Sequence, residues 1–83
     1  MIDSLEADRV RAATRKAVEK LVGYAVADDD ALVSSGLIDS LSVVQLIAAL
    51  ESDLGVRLPA ATLQPDDFDT IDYTVETVMR VAR

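Results

Sequence analysis

The chain has neither cysteine nor histidine. Without cysteine there is no disulfide framework, no thiolate nucleophile and no cysteine-type zinc site. Without histidine, the usual general base near neutral pH and the commonest metal ligand are both missing. These two absences exclude a self-contained Ser–His–Asp triad and an ordinary zinc hydrolase, while carboxylate chemistry and Ca²⁺ or Mg²⁺ binding survive. Aromatic residues make up 4%, and there are only three glycines and two prolines, too few for a low-complexity chain. Basic charge is also scarce: eight Lys and Arg stand against fifteen Asp and Glu, a net charge of −7. Phosphate contacts need a basic face, so no direct nucleic-acid binding is expected. The longest unbroken apolar run is Leu46 to Leu50, far short of the roughly 20 residues that span a bilayer. Met1-Ile2-Asp3 has neither the basic start nor the apolar stretch of a signal peptide. The expectation is a soluble, cytoplasmic, free-standing monomer without membrane insertion.

What is present is apolar and helical in pattern. With 83 residues, 51% of them hydrophobic, the chain makes one domain over 1–83 with a modest core. Residues 4–22 read as a first helix. Asp3 and Glu6 have the spacing of a capping box, and Leu5, Val10, Ala13, Ala17, Val18, Leu21 and Val22 share one face. Gly23 is a natural stop. Arg9, Arg11, Arg15, Lys16 and Lys20 form the polar side, read as a solvated face. The connection over 23–39 is longer than most helix–helix loops, with Leu32, Leu37 and Ile38 as its expected pins to the core. Its Asp28-Asp29-Asp30 run lacks the alternate acids and closing Glu of an EF-hand, and is read as a solvated turn.

A second helix runs from about Ser40 to Leu54 and ends at Gly55. Val43, Leu46, Ile47, Leu50 and Leu54 give its buried stripe. That leaves Leu41, Val44 and Ala48, which also step by three and four and so make a second apolar strip. An apolar surface beyond the core stripe points to docking. Further on, Arg57-Leu58-Pro59 breaks any helix, and Pro65-Asp66-Asp67-Phe68 reads as a short turn or single helical turn. Thr70 suits the N-cap of a last helix with Ile71, Val75, Val78, Met79 and Ala82 at helical spacing. There is no strand-like alternation. The fold class is all-α: three long helices and one short one, packed as a small bundle.

One stretch carries chemistry: Gly36-Leu37-Ile38-Asp39-Ser40-Leu41, at the opening of the second helix. Free backbone N–H groups and the helix dipole there favour an anion at Ser40, although capping alone accounts for an Asp or Ser at this position. The wider stretch from Leu32 to Leu46 resembles the attachment region of acyl and peptidyl carrier proteins. The likeness continues through Leu50-Glu51, Gly55-Val56-Arg57-Leu58-Pro59 and Phe68-Asp69-Thr70. The resemblance implies a four-helix bundle whose Ser40 receives 4′-phosphopantetheine from coenzyme A through a separate Mg²⁺-dependent phosphopantetheinyl transferase. The thiol of that arm then carries a thioester between enzymes. It further implies that Asp39 helps the transferase recognise the serine, and that Leu41, Val44 and Ala48 face partner enzymes. By the same analogy the chain has no catalytic residues and no metal site of its own.

As to cargo, fatty-acid carriers present several carboxylates on the second helix. Here Ser42, Gln45 and Ser52 stand at matching positions, with Glu51 retained. The Gly-Leu-Ile-Asp-Ser-Leu run, Val44-Gln45-Leu46 and Phe68-Asp69-Thr70 look more like D-alanyl or other aminoacyl carriers, or discrete carriers of polyketide and nonribosomal peptide pathways. The implied partners are the transferase, an acyl- or aminoacyl-activating enzyme and a downstream transferase or synthase. A fatty-acid-synthesis role and an unmodified carrier-like interaction module are the alternatives. Charge is uneven: residues 1–23 carry a net +1 and residues 24–83 a net −8. That asymmetry reads as solubility, or as attraction of basic partners to the loop and last helix.

Overall fold

The computed structural model describes residues 5–83. Helix α1 spans Ala7–Val22, with Glu6 as an N-cap residue that makes no side-chain capping bond. It therefore starts later than the sequence pattern suggests. The capping box expected from Asp3 lies outside the described residues. Val10, Ala13 and Val18 are buried, and Leu5, Ala17, Leu21 and Val22 pack against them half-buried. Helix α2 spans Ser40–Leu54 and stops at Gly55, whose N–H donates to the Glu51 carbonyl. Its buried residues are Val43, Leu46, Ile47, Leu50 and Leu54, the stripe expected from periodicity.

Helix α3 spans Ile71–Val81, and the Thr70 side chain accepts from the Tyr73 N–H at its start. Ile71, Val75 and Val78 are buried as the spacing predicts, but Met79 is 43% exposed and Ala82 only half-buried. Thr74 and Thr77 take the space on the buried face instead. A buried hydroxyl is tolerated when it has a partner, and each of these has one. Thr74 donates to the Thr70 carbonyl at 2.8 Å, and Thr77 to the Asp67 carbonyl at 3.0 Å. On α1 the buried Thr14 does the same toward Val10, at 2.8 Å.

Between α2 and α3 there is no fourth α-helix. Two 3₁₀ turns, Ala60–Thr62 and Pro65–Phe68, fill the place expected for a short helix. Pro59 precedes the first and Pro65 opens the second, so neither can grow backwards into a helix. Gln64 and Asp67 form a reciprocal capping box around the second. That turn delivers Phe68, fully buried, into the core beneath α2 and α3. A buried Phe contributes about 1.5–3 kcal/mol. Among the described residues there are three α-helices and no strand, and α1 packs against both α2 and α3.

Candidate functional site

The long connection between α1 and α2 is tied down at both halves. In the first half, a turn at Ala27–Asp30 is closed by Asp30, whose carboxylate accepts from the Ala27 N–H at 2.8 Å. Asp28 is not solvated like its neighbours. It pairs with Arg11 at 2.7 Å and with Arg15, and its carbonyl accepts from the Asp72 N–H at 3.0 Å. Arg11 also reaches Asp72 at 2.5 Å. Arg9 donates to the Asp53 carbonyl at 3.5 Å, so three of the five basic residues of α1 are engaged, correcting the reading of a wholly solvated face. In the second half Leu32 and Ile38 are buried, and the Ile38 N–H donates to the Leu32 carbonyl at 2.9 Å. Leu37 is not a pin: it is 37% exposed. Gly36 turns the chain between them with φ +82°, a conformation that glycine adopts without steric cost.

The closed loop ends at Asp39, the N-cap of α2. Its carboxylate accepts from the Ser42 N–H at 2.8 Å, and its carbonyl accepts from the Val43 N–H at 3.0 Å. The first bond satisfies one orphaned N–H of the first turn, the second opens the helical ladder, and the N–H groups of Ser40 and Leu41 lie outside that ladder. The Ser42 N–H, then the Ser42 hydroxyl, hold the Asp39 carboxyl below the usual carboxylate range. Ser40 is the first residue of α2 and is exposed. Its hydroxyl makes no hydrogen bond with the described residues and stands where the helix dipole is positive. The arrangement can present one serine oxygen to a partner and can accommodate a phosphodiester on it. It cannot activate that oxygen, because the adjacent carboxylate is occupied in capping and is a weakened base.

Around Ser40 the surface is apolar. Leu41 is 68% and Val44 61% exposed, and Ala48 is exposed as well. Val44 and Ala48 follow Ser40 at successive steps of four, so they lie beneath it on one helix face. Leu37, assigned to the core from sequence, is instead exposed on the loop that leads into Ser40. The carboxylates of α2, Glu51 and Asp53, sit in its last turn, and the first turn has none. Glu51 accepts from the Leu58 N–H at 2.9 Å, so the retained acid serves the following loop. A groove of about 330 Å³ lies elsewhere, between α1 and α2, with Ala13, Ala17 and Ala49 in its walls and Lys16, Lys20 and Asp53 at its edges. No group of three or more acidic residues among the described residues is placed to hold a metal.

A family model described as the phosphopantetheine attachment site matches residues 8–78. The chain belongs to this phosphopantetheine-attachment family. It is 34% identical over 71 residues to a D-alanyl carrier protein of Streptococcus thermophilus, covering 83% of this chain and 90% of that protein. A D-alanyl carrier protein of Streptococcus sanguinis is 32% identical over the same length and coverage. One from Streptococcus pyogenes is 36% identical over 50 residues, covering 60% of this chain and 63% of its own length. Members of the family are the attachment sites of 4′-phosphopantetheine in carrier proteins, and the exposed, unbonded hydroxyl of Ser40 beside free N–H groups fits that group. No helix of the described residues is long and apolar enough to cross a membrane.

One residue of the site escaped the sequence reading. Asp69 accepts from the N–H groups of Val33 and Ser34, both at 2.8 Å, and from the Ser34 hydroxyl at 2.9 Å. The Phe68-Asp69-Thr70 run marks the position but not this role, since its partners lie 35 and 36 positions away.

Proposed function

We propose that the chain is a carrier protein, modified with 4′-phosphopantetheine on Ser40, that shuttles an aminoacyl thioester between biosynthetic enzymes and catalyses nothing itself. The observation that carries this reading is the exposed, unbonded Ser40 hydroxyl at the N-terminus of α2, within the matched residues of the attachment family. In the attachment, the Ser40 oxygen forms a bond to the phosphorus that bears pantetheine in coenzyme A. The pyrophosphate P–O bond breaks, 3′,5′-ADP leaves, and the serine proton passes to a base of the transferase. That base is external because the chain has no histidine and the Asp39 carboxylate is engaged by the Ser42 N–H, which lowers its basicity. Once attached, the arm supplies a thiol, the group a protein without cysteine lacks.

Residues 1–83 act as one carrier unit of the four-helix type, with the Pro65–Phe68 turn standing in for the short helix. Asp39 caps α2 and marks the serine for a phosphopantetheinyl transferase. Leu41, Val44 and Ala48 form the contact strip for that enzyme, for the activating enzyme and for the downstream transferase. D-alanine is the favoured cargo, on the names of the relatives, and the absence of carboxylates from the first turn of α2 disfavours the charge-steered partners of fatty-acid carriers. The working compartment is the cytoplasm.

The cargo is tested by supplying D-alanine, ATP and a D-alanine-activating enzyme to the modified protein in one reaction, and a malonyl transferase with malonyl-coenzyme A in another. Hydroxylamine-labile D-alanine on the arm supports the reading. Loading of malonyl alone moves the protein to fatty-acid synthesis. An unloaded protein whose Ser40→Ala variant keeps full biological activity is an interaction module instead.

A further inference from the structure

Three consecutive amides of the loop end on a single residue that is remote in sequence. The N–H of Leu32 donates to the Asp69 carbonyl at 2.6 Å, and those of Val33 and Ser34 donate to its carboxylate, both at 2.8 Å. The Ser34 hydroxyl adds a fourth bond at 2.9 Å. Asp69 is itself placed rigidly, between the buried Phe68 and the N-cap Thr70 of α3. From this anchor the loop closes on itself. Gly36 donates to the Val33 carbonyl at 3.0 Å, and Ile38 to the Leu32 carbonyl at 2.9 Å. Two residues after Ile38 comes Ser40. The clasp therefore fixes the stretch of loop that leads into the serine, with exposed Leu37 within it, and the exposed strip on α2 follows directly.

We infer that Asp69 is a positioning residue for modification of Ser40: it holds residues 32–38 in the one arrangement in which a transferase meets Leu37 and Ser40 together. This rests on the reading of Ser40 as the attachment site. Its carboxyl lies below the usual range, first because of the Ser34 N–H, with burial opposing, as fits a carboxylate that acts ionised. Bonds to an ionised acceptor are stronger than neutral ones, and here they span the loop and the start of α3. If the clasp is lost, the folded protein keeps its helices but the loop samples other arrangements. Apparent affinity for the transferase then falls by the fraction of loops that remain competent.

The test is steady-state modification of the protein by a phosphopantetheinyl transferase with coenzyme A and Mg²⁺, comparing wild type, Asp69→Ala and Asp69→Asn. An Asn side chain keeps an oxygen for the two N–H groups, so it serves as the conservative rescue. Asp69→Ala is expected to raise KM about tenfold with kcat unchanged, the signature of lost binding. Asp69→Asn is expected to recover most of that loss. Hydrogen exchange at Val33 and Ser34 should quicken in the Ala variant while that of the α2 amides does not. An unchanged KM in a folded Asp69→Ala protein overturns the inference, as does a fall in kcat alone. If Asp69→Ala does not fold, a wild-type KM in Asp69→Asn with quickened exchange at Ser34 overturns it equally. Wild-type protein left unmodified by every transferase overturns the reading of Ser40 and this inference with it, whereas a modified wild type beside an unchanged KM in Asp69→Ala overturns the inference alone.

Discussion

Replacing Leu32 by alanine should destabilise the protein far more than replacing Leu37, although the two sit five positions apart in the same loop. Leu32 is fully buried, whereas Leu37 is 37% exposed. Leu→Ala removes three carbon groups at about 0.8 kcal/mol each, or about 2.4 kcal/mol of transfer free energy. A residual cavity of about 30 Å³, the share of one water in liquid, adds about 0.7 kcal/mol at about 24 cal/mol per Å³. The expected loss is about 3 kcal/mol, a large part of the total stability of a domain this size. In thermal unfolding followed by circular dichroism it corresponds to a drop in Tm of about 12–25 °C. Leu37→Ala should stay within about 0.5 kcal/mol of wild type. Equal losses in the two variants, or a larger loss for Leu37, would show that the loop is not pinned as described.

Gly36→Ala should cost about 1 kcal/mol in urea unfolding, because φ is +82° and a Cβ there is strained. A Cβ would meet no atom within 4 Å, so no steric term adds to the backbone term, and a loss above about 3 kcal/mol would contradict this. Leu41→Asp should leave Tm unchanged, since Leu41 is exposed, yet weaken transfer to and from partner enzymes at least tenfold; wild-type transfer rates would remove the strip from the contact surface. Asp39 and Asp69 both have lowered carboxyl pKa values in the fold, so the unfolded chain binds protons first on acidification. Their contribution is full above the ordinary value of about 4 and is lost as pH falls through the lowered folded values. The urea midpoint of wild type should therefore drop more between pH 6 and pH 3 than that of Asp69→Asn, and parallel pH profiles would refute the assignment.

Local signals serve α2 best. Its start, its end and its five buried residues follow from Asp39, Gly55 and a 3.6-residue period, all read within one segment. The same period leaves Leu41, Val44 and Ala48 over, and all three are exposed. Helix α3 is legible at Thr70, Ile71, Val75 and Val78, but the spacing misplaces Met79 because two threonines with carbonyl partners occupy the buried face. Hydropathy alone does not reveal a satisfied hydroxyl. The loop is the least legible part. Whether Leu37 or Ile38 turns inward depends on the left-handed turn at Gly36, and no period governs such a segment. Asp28 looks like a solvated acid in the sequence, and Asp69 shows there only as part of the Phe68-Asp69-Thr70 run, because their partners are remote: Arg11 and Arg15 on α1 for one, Val33 and Ser34 for the other. The motif around Ser40 is visible, while the clasp that holds its flank is not.

The most direct test of the account is where the phosphopantetheine goes. The purified protein and its Ser40→Ala variant are incubated with coenzyme A, Mg²⁺ and a broad-specificity transferase, and the products are digested and mapped by mass spectrometry. The account predicts one phosphopantetheine unit per wild-type molecule, on the peptide containing Asp39-Ser40-Leu41 and carried by Ser40, with none on an equally folded variant. An adduct on another serine, or a folded wild-type protein left unmodified by its cognate transferase, would contradict it.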